Sequence, residues 1–132
     1  MFILKRTALF AIIGFIGFIV DYTILHFSKE FIGLYFGRLF SFSGSVFVTW
    51  ILNRNITFSD RASKKTLLNE FIDYFQIMLI GGTANLLFYT LLIFYVDIFN
   101  KNPVIAVALG SLFGMGLNFL FSQRKLYKYK NL

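Results

Sequence analysis

Four stretches of apolar side chains dominate the chain, separated by short polar intervals. They run roughly from Thr7 to Phe27, Leu34 to Leu52, Tyr74 to Val96 and Val104 to Phe121. A helix of about 20 apolar residues crosses a ~30 Å hydrocarbon layer, and each stretch is close to that length. Helices also satisfy every backbone N–H and C=O within one segment, as lipid requires. The pattern predicts an all-α integral membrane protein of four transmembrane helices. Before the third stretch, Leu67, Leu68, Phe71, Ile72 and Phe75 recur at helical spacing behind Lys64 and Lys65, with Ser63 as a candidate N-cap. That spacing predicts a short amphipathic helix lying in the membrane interface and leading into the third span. An early start of the third span is the alternative. The first stretch is long, and no small-residue cleavage site follows it, so a cleaved signal peptide is a poor description of it.

Composition agrees with a lipid environment. Of the 132 residues, 58% are hydrophobic and 14% are charged; soluble domains carry about 25% charged residues. So much apolar surface does not fit inside so small a globule. The absence of cysteine excludes disulfides and thiolate catalysis, and His26, the single histidine, does not build a metal site alone. A net charge of +7 in a soluble protein would suggest nucleic acid. Here its placement points to a membrane surface, with no nucleic-acid partner. Lys5, Arg6, Arg54, Arg61, Lys64, Lys65, Arg124, Lys125, Lys128 and Lys130 gather on one side, against Lys29 and Lys101 on the other, with Arg38 inside the second span. By the positive-inside rule, both termini and the interval from Asn53 to Asp73 are expected in the cytoplasm. The intervals around Lys29–Gly33 and Asp97–Asn102 are then expected outside, as in a multi-pass protein of the inner membrane.

The two halves resemble each other. Ile13-Gly14 and Asp21 to Leu25 align with Ile80-Gly81 and Phe88 to Leu92 at an offset of 67 residues. Gly37, Ser41, Ser45 and Thr49 align with Ala106, Gly110, Gly114 and Asn118 at an offset of 69, and Thr49 to Phe58 aligns with Asn118 to Tyr127. The chain is expected to be a single domain, 1–132, built of two helical hairpins: a repeat at about 5–58 and another at about 72–127. Both enter from the same side, so they are parallel repeats related by an axis along the membrane normal. The aligned small residues suit close helix packing in lipid, where water-driven association is absent.

The polar residues within this frame are the candidates for function. Asp21 and Arg38 lie at similar depth in the first two spans, and a lone charge in hydrocarbon seeks a partner. They are expected to meet, either as an ion pair that fixes hairpin register or as a site for a lipid phosphate or sugar. Asn85 and Asn118, with Thr49 and Gln76, are amides and hydroxyls of the kind that bond between helices. Asn53, Arg54 and Thr57 close the second span. Arg54 and Arg124 sit where a lipid phosphate would lie, and the guanidinium fork suits phosphate oxygens. Simple positive-inside anchoring is the alternative for each. The C-terminal run from Arg124 to Lys130 reads as a solvated tail on anionic lipid. No nucleophile–base pair, phosphate-binding glycine loop or acidic metal cluster is present, so no enzymatic activity, metal or cofactor is expected.

The residues Ile13-Gly14 to Asp21-Tyr22, Asn53-Arg54-Asn55-Ile56-Thr57-Phe58, Ile80 to Asn85, and Asn118 to Tyr127 together resemble the GtrA-like family across nearly the whole chain. Ser122-Gln123 departs from the first half's Asn53-Arg54. The resemblance implies a role in cell-surface polysaccharide synthesis, helping to move undecaprenyl- or dolichyl-phosphate-linked sugars across the membrane. Asp21, Arg38, Asn53, Arg54, Thr57, Asn85, Asn118 and Arg124 are the expected contacts with the lipid phosphate and sugar. A scaffold docking a polyprenol-phosphate glycosyltransferase through the interval Arg61–Phe75 is a second reading. A small proton-coupled exporter using Asp21 is a third, weakened because an arginine partner holds a carboxylate charged. A homodimer is compatible with so small a translocator.

Overall fold

The computed structural model describes residues 2–61, 63–101 and 103–128, which are mostly helical with no strand among them. In order they form α1 (Phe2–Leu52), a π-helical turn (Asn53–Thr57), α2 (Leu67–Tyr95), α3 (Asp97–Lys101), α4 (Pro103–Phe121) and a second π-helical turn (Ser122–Leu126).

Helix α1 is interrupted at Gly33, with φ 77° and ψ 171°. Only glycine enters that region readily, and Gly33 is the one residue with positive φ among those described. The limb at 34–52 therefore folds back beside the limb at 2–32. Ser45 Oγ donates to the Gly17 carbonyl at 2.7 Å, and Asp21 of the first limb meets Arg38 and Ser41 of the second.

Helices α2 and α4 pack closely where glycine allows their backbones to approach. A Cβ on Gly114 would lie 2.5 Å from the Gly81 carbonyl oxygen, and one on Gly81 would collide with the Asn118 amide. Backbone cannot yield as a side chain can, so Gly114→Ala is expected to destabilise the protein by about 1–3 kcal/mol, the usual cost of overpacking. Thermal unfolding in detergent checks this, and an unchanged midpoint would contradict the packing described.

Three segments are long and apolar enough to cross a membrane: Ile3–Gly33, Leu67–Tyr95 and Val104–Leu126. Their outward faces expose large apolar side chains, among them Phe15, Phe31 and Phe94, far more than a soluble monomer tolerates. The protein is membrane-embedded and multi-pass. The stretch 34–52 is helical as expected but is not among these three segments.

The sequence expectation needs correction in two places. Among the described residues no separate amphipathic helix precedes α2; the alternative, an early start of that long helix, is what the structure shows. Helix α2 runs unbroken from Leu67, and its N-cap is Thr66, whose hydroxyl accepts from the Asn69 N–H, not Ser63. The apolar side chains of that stretch also divide: Leu67, Leu68 and Ile72 are exposed, whereas Phe71 and Phe75 pack against the core. The burying stripe is instead Glu70, Tyr74, Ile77 and Gly81. Second, the interval expected as a loop at Asp97–Asn102 holds the short helix α3; Asn102 lies outside the described residues, as does Lys130.

The core is concentrated at the end of the molecule that carries the π-turns. Phe58 and Tyr127 stack at 4.4 Å and 12°, and Phe10 meets Phe119 edge-on at 5.5 Å. Each π-turn closes with the same bond, Phe58 N–H to the Asn53 carbonyl and Tyr127 N–H to the Ser122 carbonyl, both 2.9 Å. The turns are 69 residues apart, and the aromatic residues after them face each other across the centre of this end.

Candidate functional site: the basic end of the helix bundle

Glu70 lies in the first turn of α2, where the positive end of the helix dipole favours a carboxylate. It is fully buried. A buried carboxylate is tolerated only with donors around it, and three converge here. Trp50 Nε1 and the Tyr127 hydroxyl each donate to Oε1 at 3.0 Å. Arg54 Nε lies 3.2 Å from Oε1 and 3.3 Å from Oε2. Burial, and then the neighbouring Glu70 charge, push the Tyr127 phenol above its usual range, so it remains a neutral donor. One turn along α2, the Tyr74 hydroxyl accepts from Asn53 Nδ2 at 2.8 Å, and the Thr57 hydroxyl donates to Asn53 Oδ1 at 2.8 Å. Arg61 Nη1 reaches the Tyr127 carbonyl at 3.3 Å, and Arg6 pairs with Asp60. This network ties α1, α2 and both π-turns into one rigid platform.

Two concavities flank the platform. The first, about 330 Å³, lies between α2 and the second π-turn. Arg124, Lys125, Lys128 and Lys65 supply its cations, Asp73 and Gln76 its other polar groups, and Ile77 and Ile80 an apolar wall. Lys65 Nζ pairs with Asp73, and Lys125 Nζ sits 5.3 Å from the centre of the Phe121 ring. The second, about 250 Å³, is formed by the first π-turn and the chain after it, with Arg54, Asn55, Phe58, Ser59, Arg61 and Ser63 around it.

The residues expected from sequence fall into separate places. Asn53, Arg54 and Thr57 join the Glu70 platform. Arg124 lines the first concavity and is not beside Arg54. Asn85 and Asn118 lie in the α2–α4 seam, against Gly110 and Gly81. Asp21 and Arg38 do meet, at the far end of α1 near Gly33, and Ser41 Oγ donates to Asp21 Oδ1 at 2.6 Å. Arg38 is 58% exposed and Asp21 15%. Sequence reasoning missed Glu70, Trp50, Tyr74 and Tyr127. The spacing of Glu70 and Tyr74, four apart on the stripe leading to Ile77 and Gly81, was the available signal.

Fold and site together define a small helical membrane protein with a cluster of cationic side chains at one end, beside an apolar wall. The chain belongs to the GtrA/DPMS transmembrane-domain family, whose model matches residues 9–127. That membership points to the handling of polyprenyl-phosphate sugars. No curated protein matches the chain.

Proposed function

We propose that this protein moves a polyprenyl-phosphate-linked sugar across the membrane, for cell-surface polysaccharide synthesis or glycosylation, without chemistry of its own. In this reading the 34–52 limb is a fourth span, ~28 Å long at 1.5 Å per residue. The four spans form two hairpins, and the basic end faces the cytoplasm of the inner membrane, by the positive-inside rule.

The observation that carries this reading is the pocket at Arg124. Its groups match the three parts of such a ligand. Arg124, Lys125 and Lys128 suit the phosphate through charge-assisted bonds. Asp73 and Gln76 suit sugar hydroxyls. Ile77 and Ile80 give the first prenyl units an apolar wall beside the bilayer. At the far end, Arg38 keeps an exposed guanidinium edge beside Asp21 for the headgroup as it leaves.

Cells carrying Arg124→Gln should keep the protein in the membrane and lose most transfer of the sugar to the outer face, read by surface labelling. Unchanged surface glycosylation at equal protein level would overturn the assignment.

A further inference from the structure

The concavity at Arg54 plays no part in the reading above, and its chemistry differs from that of its neighbour. We propose that it is a second anion site, which takes the phosphate or diphosphate of a soluble ester.

Glu70 engages only the Nε edge of the Arg54 guanidinium, at 3.2 and 3.3 Å. Glu70 is itself fixed by Trp50 and Tyr127. The fork is thus oriented before any ligand arrives, and its two Nη groups are left for another acceptor. Bidentate use of that outer edge is how arginine recognises phosphate. The side chain is 38% exposed, so the edge is reachable.

The surroundings suit an anion. A second guanidinium, that of Arg61, borders the cavity, and Asn55 and Ser63 add uncharged donors; the Ser59 hydroxyl donates to the Ile56 carbonyl. No carboxylate is among the described residues that line it, whereas the other pocket contains Asp73.

The two pockets are the same turn used twice. Asn55 and Ser59 of one stand 69 positions before Arg124 and Lys128 of the other. The copies differ where a lipid tail would lie. The Arg124 pocket has Ile77 and Ile80 in its wall. At the Arg54 pocket the apolar contribution is Phe58, which is fully buried beneath it. A prenyl or acyl chain finds no wall there, and a soluble phosphate needs none.

Trp50, the single tryptophan, reports on this site because it shares Glu70 with Arg54. The full chain is placed in phosphatidylcholine nanodiscs and titrated with inorganic pyrophosphate at constant ionic strength, with Trp50 emission as the signal. A saturable change is expected. Asn55→Asp, a near-isosteric change at an exposed position outside the Glu70 network, should weaken binding about tenfold by placing like charge against the anion. Arg124→Gln should leave the response intact. A second arm replaces pyrophosphate with phosphatidic acid in the nanodisc, and little response is expected. No response to pyrophosphate, an equal response in Asn55→Asp, loss in Arg124→Gln, or a response to phosphatidic acid alone would each overturn the proposal. The native and Asn55→Asp titrations are independent of whether the Arg124 pocket carries a lipid-linked sugar.

Discussion

Glu70→Ala is expected to disorganise the basic end of the protein. The substitution removes one acceptor and strands three donors: the Trp50 indole, the Tyr127 hydroxyl and the Arg54 guanidinium. A hydrogen bond to a charged group contributes about 1.5–3 kcal/mol, and an unsatisfied buried donor costs about 1–3 kcal/mol. These effects share one site and do not add, but removing one partner of a buried ionic network typically costs about 3–5 kcal/mol. A loss near the lower end of that range is expected, because Arg54 is partly exposed and regains water. Glu70→Gln keeps one acceptor oxygen and should lose roughly half as much. Thermal unfolding followed by Trp50 emission measures both variants. If alanine proved as stable as the native protein, the platform would not be what joins the two π-turns.

The second large effect concerns the ligand. Replacing Arg124, Lys125 and Lys128 together by glutamine should weaken binding of a short-chain polyprenyl phosphate by about a hundredfold or more, since each charge-assisted contact is worth about 1.5–3 kcal/mol and each tenfold is 1.4 kcal/mol. Stability should change little, because all three are exposed and the buried residues of that turn are Ser122 and Leu126. Binding to the native protein should also weaken as salt rises, through screening, and the variant should lose that dependence. Asp73→Asn is the informative companion. It removes the one carboxylate among the described residues of the pocket and frees Lys65, so phosphate binding should hold or improve while recognition of the sugar falls. Equal affinity in the triple variant would remove the pocket from the account.

Much of the architecture was legible because lipid leaves few options. Long apolar runs, the one-sided cations and the small residues at every fourth position each reflect a constraint of the bilayer, and helical structure followed. The meeting of Asp21 and Arg38 was equally readable, since charge at that depth needs a partner. The basic end was less legible. Glu70 lies in an interval rich in Lys and Arg, where an acidic residue passes for surface. Its burial depends on Trp50 and Tyr127, 20 and 57 residues away along the chain, and no local pattern announces that. The apolar side chains of 67–75 gave a helical period but not its boundary, since the Thr66 cap and Ser63 offer similar chemistry. Arg54 and Arg124 carry the same sequence signal of a basic residue at a span's end, yet the fold gives one a buried carboxylate and the other a cationic pocket.

Translocation itself is the most direct test. The purified protein is reconstituted in liposomes with a fluorescent short-chain polyprenyl-phosphate sugar in both leaflets, and a membrane-impermeant quencher is added outside. Quenching is expected to run to near completion within minutes in vesicles containing the native protein. It should stop near half in empty vesicles and in vesicles with the triple glutamine variant. Quenching that stops at half with the native protein, in the correct fold and present in every vesicle, would contradict translocation by this chain.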